Sequence, residues 1–429
     1  VIDAKSEVEL QSSIEQLRNY PSIRYKLEGQ STDLPATDVL IANPAIPPHH
    51  PLLKEAEDRL IPVSSEIELF WQLNPARVIG VTGSNGKSTT TAMIHKICSG
   101  AGSKCWLGGN IGVSLLPSVE QIQPEDWVIL ELSSFQLHAL NRLQVSPQIA
   151  VITNFSPNHL DWHQTLEHYR QSKQNILCWQ KSDDFTVINQ DDPELQNWRS
   201  NGQVCAYGSD RDQEPDLLIQ DEAFVFPEFD LKIQQKLAVP GWHNRFNAAA
   251  AILATQAAGI DLGKIQSGLE SFQGLPHRLQ YLGEYQGRRF YNDSLATTPE
   301  SAICALEAFE AGQLIVLAGG SDKKVDLTPF SRMLLTRTKA VSLMGTTGPV
   351  LHTMMQYIRD QERPEAESII SPPHVEFENA FNWAVQQSSP GDVILLSPGC
   401  ASFGWFTSFA ERGARFEQAF QELVASGAP

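Results

Sequence analysis

No two cysteines in this sequence stand in a C-x-x-C pair. The six present, Cys98, Cys105, Cys178, Cys205, Cys304 and Cys400, are scattered along the chain, which argues against a disulfide framework or a zinc site and for reduced thiols in a cytoplasm. Long apolar runs are missing as well. None approaches the ~18 residues of a membrane span, and no signal peptide is expected. Positive charge is scarce, with 32 Lys and Arg against 50 Asp and Glu. The net charge of -18 would repel a polyanion, so neither nucleic acid nor a membrane is an expected partner. An anionic substrate must then be held by a few local lysines and backbone N–H groups. Internal repeats and low-complexity segments are also absent.

What remains is the composition of a soluble globular protein, 41% hydrophobic and 19% charged over 429 residues, long enough for about three domains. Punctuation divides it into blocks 1–65, 66–274 and 275–429. The first holds expected strands at 1–3 and 38–41 and a proline-rich turn from Asn43. In the second, apolar strands at 78–82, 127–132, 148–154 and 185–189 alternate with helical stretches, the mark of a largely parallel sheet covered by helices. The third alternates again, with strands at 313–318, 340–343 and 392–396. The expected class is α/β in three units, with ligands at the carboxyl ends of strands and in clefts between units.

The stretch VIGVTGSNGKSTTT, from Val78 to Thr91, reads as a phosphate loop with unusual spacing. The common form, G-x-x-x-x-G-K-[ST], would place glycine at position 81, where this chain has Val81. A strand nevertheless delivers Gly83, Ser84, Asn85 and Gly86, whose backbone N–H groups can turn around phosphate oxygens. A helix starting near Lys87 adds its positive end. Lys87 can reach the β and γ phosphates, and Ser88 or Thr89 can hold Mg²⁺. An ordinary strand–turn–helix with a glycine turn is the plainer alternative, but G-K-S-T-T after a strand is not common.

Mg²⁺ held only by a hydroxyl and phosphates usually needs a carboxylate. Glu131, ending the apolar strand of WVILELSSFQL, is the candidate, although a charge at a strand end can simply reach solvent. The next strand, IAVITNFSPNHLDWH, ends in Asn158, His159, Asp161 and His163, a polar group that is either a site or an exposed loop.

T-G-S-N-G-K-S-T, G-G-N-I-G at 108–112, E-L-S-S-F-Q, H-L-D-x-H and G-x-H-N-x-x-N at 241–247 together resemble the Mur ligases, whose phosphate loop has this shortened form. The resemblance covers essentially the whole chain. It implies ATP-dependent amide ligation in bacterial cell-wall peptide assembly. G-L-P-H-R (274–278), Y-N-D-S (291–294), G-G-S-D-K (319–323) and L-S-P-G-C-A-S-F (396–403) are most similar to the branch that adds glutamate to UDP-N-acetylmuramoyl-L-alanine. The D-N-P-R segment of the diaminopimelate-adding branch is absent.

The resemblance implies an incomplete Rossmann-like UDP-sugar domain in 1–65, truncated at its start, a P-loop ATPase-type domain in 66–274 and a Rossmann-like glutamate-binding domain in 275–429. It also implies site roles. Gly83, Ser84, Asn85, Gly86, Lys87, Ser88 and Thr89 would hold ATP, with Asn244, Asn247, Arg278 and Asp293 completing that site. Ser88, Glu131, His159 and a carbamylated Lys173 would bind Mg²⁺, and Lys87, His159 and Lys173 would serve the chemistry. Without the resemblance, Lys173 reads as a solvated helix lysine. Thr297, Lys323, Ser402, Phe403 and Phe409 match positions around glutamate, and Asn43, Asn110, Ser133 and His277 positions around the nucleotide-sugar. The chain departs from the family pattern at Asn43-Pro44-Ala45, where Ser-Pro-Gly is common, at Asn158, where Asp is usual, and at Leu295, where lysine is frequent.

Two rivals share the loop: a folylpolyglutamate-type ligase, which lacks a UDP-sugar domain, and a nucleotide-binding relative without chemistry. The block before Glu66 argues against the first, and Glu131, His159 and Lys173 together against the second. A cytoplasmic monomer acting on small molecules is expected.

Overall fold

Alternating apolar strands and amphipathic helices build three sheets in the computed structural model, which describes residues 1–28, 34–112, 114–229, 231–234, 236–322 and 325–427. The central sheet has nine strands, in the order Cys105–Gly109, Trp127–Glu131, Arg77–Thr82, Ile149–Ile152, Phe185–Asn189, Gln203–Gly208, Leu217–Ile219, Ala223–Phe226 and Leu231–Gln234. The first seven run parallel, and the last two close the sheet as an antiparallel ribbon. Its middle strands are apolar throughout because both faces are covered, leaving no polar side to alternate with. One face packs on Ile94 and Ile97 of helix Lys87–Gly100 and on the alanine run 248–251 of helix Trp242–Ala257. The other packs on Ile67 and Phe70 of helix Glu66–Leu73 and on Leu137 and Ile176.

Chain order decides where ligands go. From Arg77–Thr82 the chain crosses to the edge strand Cys105–Gly109, returns to Trp127–Glu131, and only then pairs on the other side of Arg77–Thr82 through Ile149–Ile152. The crevice of such a reversal lies beyond the carboxyl end of the strand at which it occurs. Here that end is Thr82, which runs directly into the phosphate loop.

The third unit has six strands, in the order Gln280–Tyr285, Arg288–Asn292, Val393–Leu396, Leu314–Ala318, Thr338–Leu343 and Ile369–Ile370, with only the first pair antiparallel. It too is buried on both faces, Val316 and Leu343 packing on one side, Ile315 and Leu317 on the other. The expected strands of these two units are present with ends shifted by one or two residues.

The first block carries less than expected. The strand sought at 1–3 is an isolated bridge between Ile2 and Lys26, and that at 38–41 is the two-residue strand Leu40–Ile41, parallel to Val63–Ser64. Among its described residues the buried apolar cluster is Leu34, Leu52 and Ala56, too little core to support a longer sheet. No helix among the described residues is long and apolar enough to cross a membrane.

Ile129 and Leu317 are fully buried in the middle of different sheets. Ile129→Ala and Leu317→Ala should each destabilise its unit by roughly 2–5 kcal/mol. Val375→Ala, at a side chain 81% exposed, should cost no more than about 0.5 kcal/mol. Urea unfolding followed by tryptophan fluorescence measures all three.

Candidate active site

The phosphate loop can exist only with glycine at two of its positions. A Cβ on Gly83 would lie 1.9 Å from Thr153 Oγ1, and one on Gly86, whose φ is +80°, would lie 2.3 Å from Asn247 Oδ1. Helix Lys87–Gly100 begins directly after Gly86, so its unsatisfied N–H groups open on the loop. Lys87 is turned back on its own loop, donating from Nζ to Gly83 O at 2.9 Å and Ser84 O at 3.0 Å. Burial holds its ammonium below the usual lysine value, with Arg278 acting in the same direction and Glu131 opposing.

Lys173 is the surprise of the central unit. It lies on the buried stripe of helix Leu166–Cys178 with Tyr169, Ser172 and Ile176, 2% exposed, so the solvated-lysine reading is corrected. Its Nζ donates to Gly83 O at 2.7 Å, the carbonyl that Lys87 also uses, and to Thr82 Oγ1 at 3.4 Å. Burial first, then the charge of Lys87, holds this ammonium well below the ordinary value, against the pull of Glu131. Glu131 is 2% exposed. Its Oε1 accepts from Asn110 Nδ2 at 2.9 Å, while Oε2 is buried without a hydrogen-bond partner. An orphaned buried carboxylate oxygen is costly in a protein interior, and a cation is what would satisfy it. His159 sits at a left-handed position, φ 53°, before the short helix Leu160–His163. Partial burial, then Lys87, keeps its ring below the usual histidine value, favouring the neutral form that can ligate a metal. The Glu131 carboxylate and the Ser88 hydroxyl are the oxygen donors that suit Mg²⁺, and the neutral imidazole would add a nitrogen. Among the described residues no three His, Cys, Asp or Glu side chains gather closely enough to hold a metal by themselves, so phosphate oxygens would have to complete the shell.

Beside the loop a cavity of about 650 Å³ opens between the central and third units, walled by Asn85, Gly86 and Thr89 on one side and by Arg278 and Glu307 on the other. Asn244 and Asn247 reach it from the first two turns of helix Trp242–Ala257 because i,i+3 spacing puts them on one face. They are linked to each other, Asn247 Nδ2 donating to Asn244 Oδ1 at 3.0 Å, and Thr90 Oγ1 donates to Asn247 Oδ1 at 3.3 Å. Asp293 stands behind this wall, not in it. Fully enclosed, it accepts from the Leu279 N–H at 3.1 Å and Ser397 Oγ at 2.8 Å, bracing the turn that presents Arg278. A larger cavity of about 800 Å³, floored by Phe185, Leu218 and Phe226, lies elsewhere. Glu214, Asp216 and Glu228 on its rim, against Arg211 alone, make it unfit for a polyphosphate.

The remaining candidates fall into two groups. Ser133 caps helix Ser134–Leu140 in a reciprocal box with Gln136, and Asn110 is tied to Glu131. Asn43 forms a local turn, accepting from the Ala45 N–H at 2.9 Å, in the first block. In the third unit, His277 Nδ1 lies 3.0 Å from Asn292 Nδ2 and 3.6 Å from Glu417 Oε1, and its ring meets Phe409 edge-on at 6.2 Å. Thr297 follows the Asp293–Ser294 turn, Ser402 is buried, and Phe403 is exposed. Lys323 lies outside the described residues. Thr153, Asn154, Asn189, Trp242, His243 and Glu307 also wall the cavity beside the loop and were not singled out from the sequence. The T-N pair ending the strand before H-L-D, and the Trp-His inside G-x-H-N-x-x-N, were signals available for four of them.

Residues 81–255 match the Mur ligase middle domain, and residues 277–400 match the Mur ligase, glutamate ligase domain. A protein of Acetivibrio thermocellus named UDP-N-acetylmuramoylalanine–D-glutamate ligase is 35% identical over 432 residues, covering 99% of this chain and 91% of its own length. A Bacillus subtilis protein of the same name is 36% identical over 390 residues, covering 90% and 83%. Among solved structures, UDP-N-acetylmuramate–alanine ligase of Thermotoga maritima superposes with a TM-score of 0.61 at 19% identity, covering 98% of this chain and 93% of its own. A MurF ligase of Thermotoga maritima in complex with ADP gives 0.59 at 17%, covering 100% and 95%. These two likenesses are of fold.

Burial pushes the Asp293 carboxyl from 3.8 up to about 7, despite the hydrogen bonds from Ser397 and Leu279 and the charges of Arg278 and Arg412. The folded chain therefore keeps a proton that the unfolded chain has lost between those pH values, and this group's contribution to stability falls as pH rises through the window. Asp293→Asn carries no such charge. Relative to the parent chain, it should gain on the order of a few kcal/mol between pH 4 and pH 7, measurable from urea midpoints at the two pH values.

Proposed function

Because this chain belongs to the Mur ligase family, we infer that it is an ATP-dependent carbon–nitrogen ligase adding glutamate to UDP-N-acetylmuramoyl-L-alanine in peptidoglycan precursor synthesis. The observation that carries the catalytic reading is Glu131 Oε2, buried without a partner in a group with Lys173, Lys87 and the phosphate loop. A protein that only bound nucleotide would need the loop but not this second, expensive feature.

A carboxylate is a poor electrophile until one of its oxygens becomes a leaving group. In this reading the nucleotide-sugar's carboxylate takes the γ-phosphoryl group of ATP, ADP departs, and the acyl phosphate is attacked by the glutamate amine, releasing phosphate. Lys87 leaves the Gly83 and Ser84 carbonyls for the phosphoryl oxygens, where charge grows, and the N-terminus of helix Lys87–Gly100 supports it. Glu131, His159, the Ser88 hydroxyl and a carbamate on Lys173 would hold Mg²⁺, which would supply positive charge to the same oxygens. Burial favours the neutral Lys173 amine, which has the lone pair that carbamylation by CO₂ needs. The product, an anion, would replace the repulsion from Lys87 with attraction.

Asn85, Thr89, Asn244, Asn247 and Arg278 hold ATP in the cavity between units, and movement of the third unit over it keeps water from the acyl phosphate. Thr297, Lys323, Ser402, Phe403 and Phe409 receive glutamate. With Leu295 where the family often has lysine, Lys323 carries more of the cationic role. Asn43, Asn110, Ser133 and His277 belong to the nucleotide-sugar's side. The scattered free cysteines and acidic surface fit a cytoplasmic enzyme acting as a monomer on small molecules, with nucleic acid no partner.

ATP turnover that requires both UDP-N-acetylmuramoyl-L-alanine and glutamate tests the reading. D- and L-glutamate should be assayed separately, and faster incorporation of aspartate or lysine would refute the assignment. Lys87→Ala should lose phosphoryl transfer by about 10³-fold or more at an unchanged melting temperature; near-normal turnover would sink the phosphate-loop role. Lys173→Ala should be inactive and partly rescued by short-chain carboxylic acids, which can supply the missing oxygens. Full activity without them would remove the carbamate from the scheme.

A further inference from the structure

Strand Ile149–Ile152 continues into Thr153 and Asn154, and both side chains turn onto the phosphate loop. The Asn154 amide makes a reciprocal pair with the main chain of a single loop residue. Its Oδ1 accepts from the Asn85 N–H at 2.9 Å, and its Nδ2 donates to Asn85 O at 3.0 Å. Thr153 Oγ1 donates to the same Asn85 O at 2.6 Å. One residue earlier in the loop, the Ser84 N–H donates to Asn154 O at 3.0 Å. The Ser84 hydroxyl accepts from the Ser156 N–H at 2.8 Å and donates to Ser156 O at 2.7 Å. Gly83 lies so close beneath Thr153 that no side chain fits between them. Each residue from Gly83 to Asn85 is therefore fixed against one four-residue segment.

An asparagine at a strand end often does no more than face water. Asn154 differs in that both ends of its amide serve one residue, and that residue stands in the wall of the nucleotide cavity beside Asn154 itself. A loop that must turn several N–H groups towards one polyanion loses affinity if it has to be ordered at the moment of binding, and preorganisation removes that cost. We propose that Asn154 is a positioning residue for ATP, holding Asn85 by its N–H and its C=O so that the phosphate loop is already curved before nucleotide arrives. This inference rests on the ligase reading only in naming ATP as the nucleotide.

The test is calorimetric titration of the full chain with ADP, and steady-state KM values for ATP and glutamate, in Asn154→Ala and Asn154→Asp. Loss of both bonds in Asn154→Ala should weaken ADP binding and raise the ATP KM by about ten-fold, with the glutamate KM within about two-fold of the parent. Asn154→Asp keeps size and the acceptor for the Asn85 N–H but turns a carboxylate towards Asn85 O and the polyphosphate. It should weaken ADP binding more than Asn154→Ala, and it keeps the test open if the alanine variant does not fold. ADP affinity near that of the parent in the folded variants overturns the proposal. So does an equal rise in both KM values that tracks a fall in melting temperature, the pattern of a merely structural residue. Failure of the parent chain to use glutamate would count against the ligase reading and leave the ADP titration to decide this one.

Discussion

Two lysine amino groups converge on one carbonyl oxygen. Lys87 and Lys173 both donate to Gly83 O, where the central strand Arg77–Thr82 opens into the phosphate loop. Placing two cations together in a half-dry site is unfavourable, and each feature around them answers that constraint. Glu131, ending the neighbouring parallel strand, opposes the shift of both lysines. The Ser84 carbonyl and the Thr82 hydroxyl take further N–H groups. The positive charge of Lys87 is what an incoming polyphosphate would neutralise, and the unpaired Glu131 Oε2 is what an incoming cation would. The site is thus built unbalanced in both signs, to be completed by its ligands.

This concentration of charge also reconciles an acidic chain with an anionic substrate. A net charge of -18 gives no long-range attraction for ATP, and surface charges beyond a Debye length of about 8 Å are largely screened. Affinity must come from within the crevice, where Lys87, Arg278, a helix N-terminus and loop N–H groups act at short range in a poorly hydrated cleft. The cleft lies between two units that also meet through Tyr291 Oη donating to Ala238 O at 3.4 Å. A ligand that contacts both walls gains from bringing them together, which is how binding becomes coupled to closure.

In the third unit the equivalent organising group is Arg412, 1% exposed. Its guanidinium donates to Ser294 Oγ and O and to the carbonyls of Cys400 and Ala401 at 2.9–3.2 Å. Burial lowers it to about 10, still charged at neutral pH. Asp293, adjacent to Ser294 in the chain, braces Leu279. Arg412 and Asp293 therefore fix the turn carrying Ser294, Leu295 and Thr297 from opposite sides and join it to the loop containing Ser402. Arg412 is committed to these carbonyls and is not a free cation for a substrate carboxylate.

The sequence by itself determined the phosphate loop, the carboxylate-ended strand after it and the apolar strands buried on both faces, because each is encoded locally by glycine spacing or by an unbroken Val/Ile/Leu run. It left the edge strand Cys105–Gly109 and the strands Gln203–Gly208, Leu217–Ile219, Ala223–Phe226 and Leu231–Gln234 unread, and it expected more strand in the first block than forms there, since short or half-exposed strands take their partners from register and not from pattern. G-x-H-N-x-x-N could be read as a pair on one helix face, but that Asn247 closes over Gly86 follows from helix packing. Asn154 looked like the end of a strand, and Asp293 like a nucleotide contact. Lys173 shows the division most clearly. From the sequence it read as a solvated helix lysine, because lysine on a helix ordinarily snorkels to water. Only the tertiary structure, by laying that helix across the end of the central strand, decided that this lysine would be enclosed beside Gly83 and Glu131, since burial is a property of what packs on a residue and not of the residue.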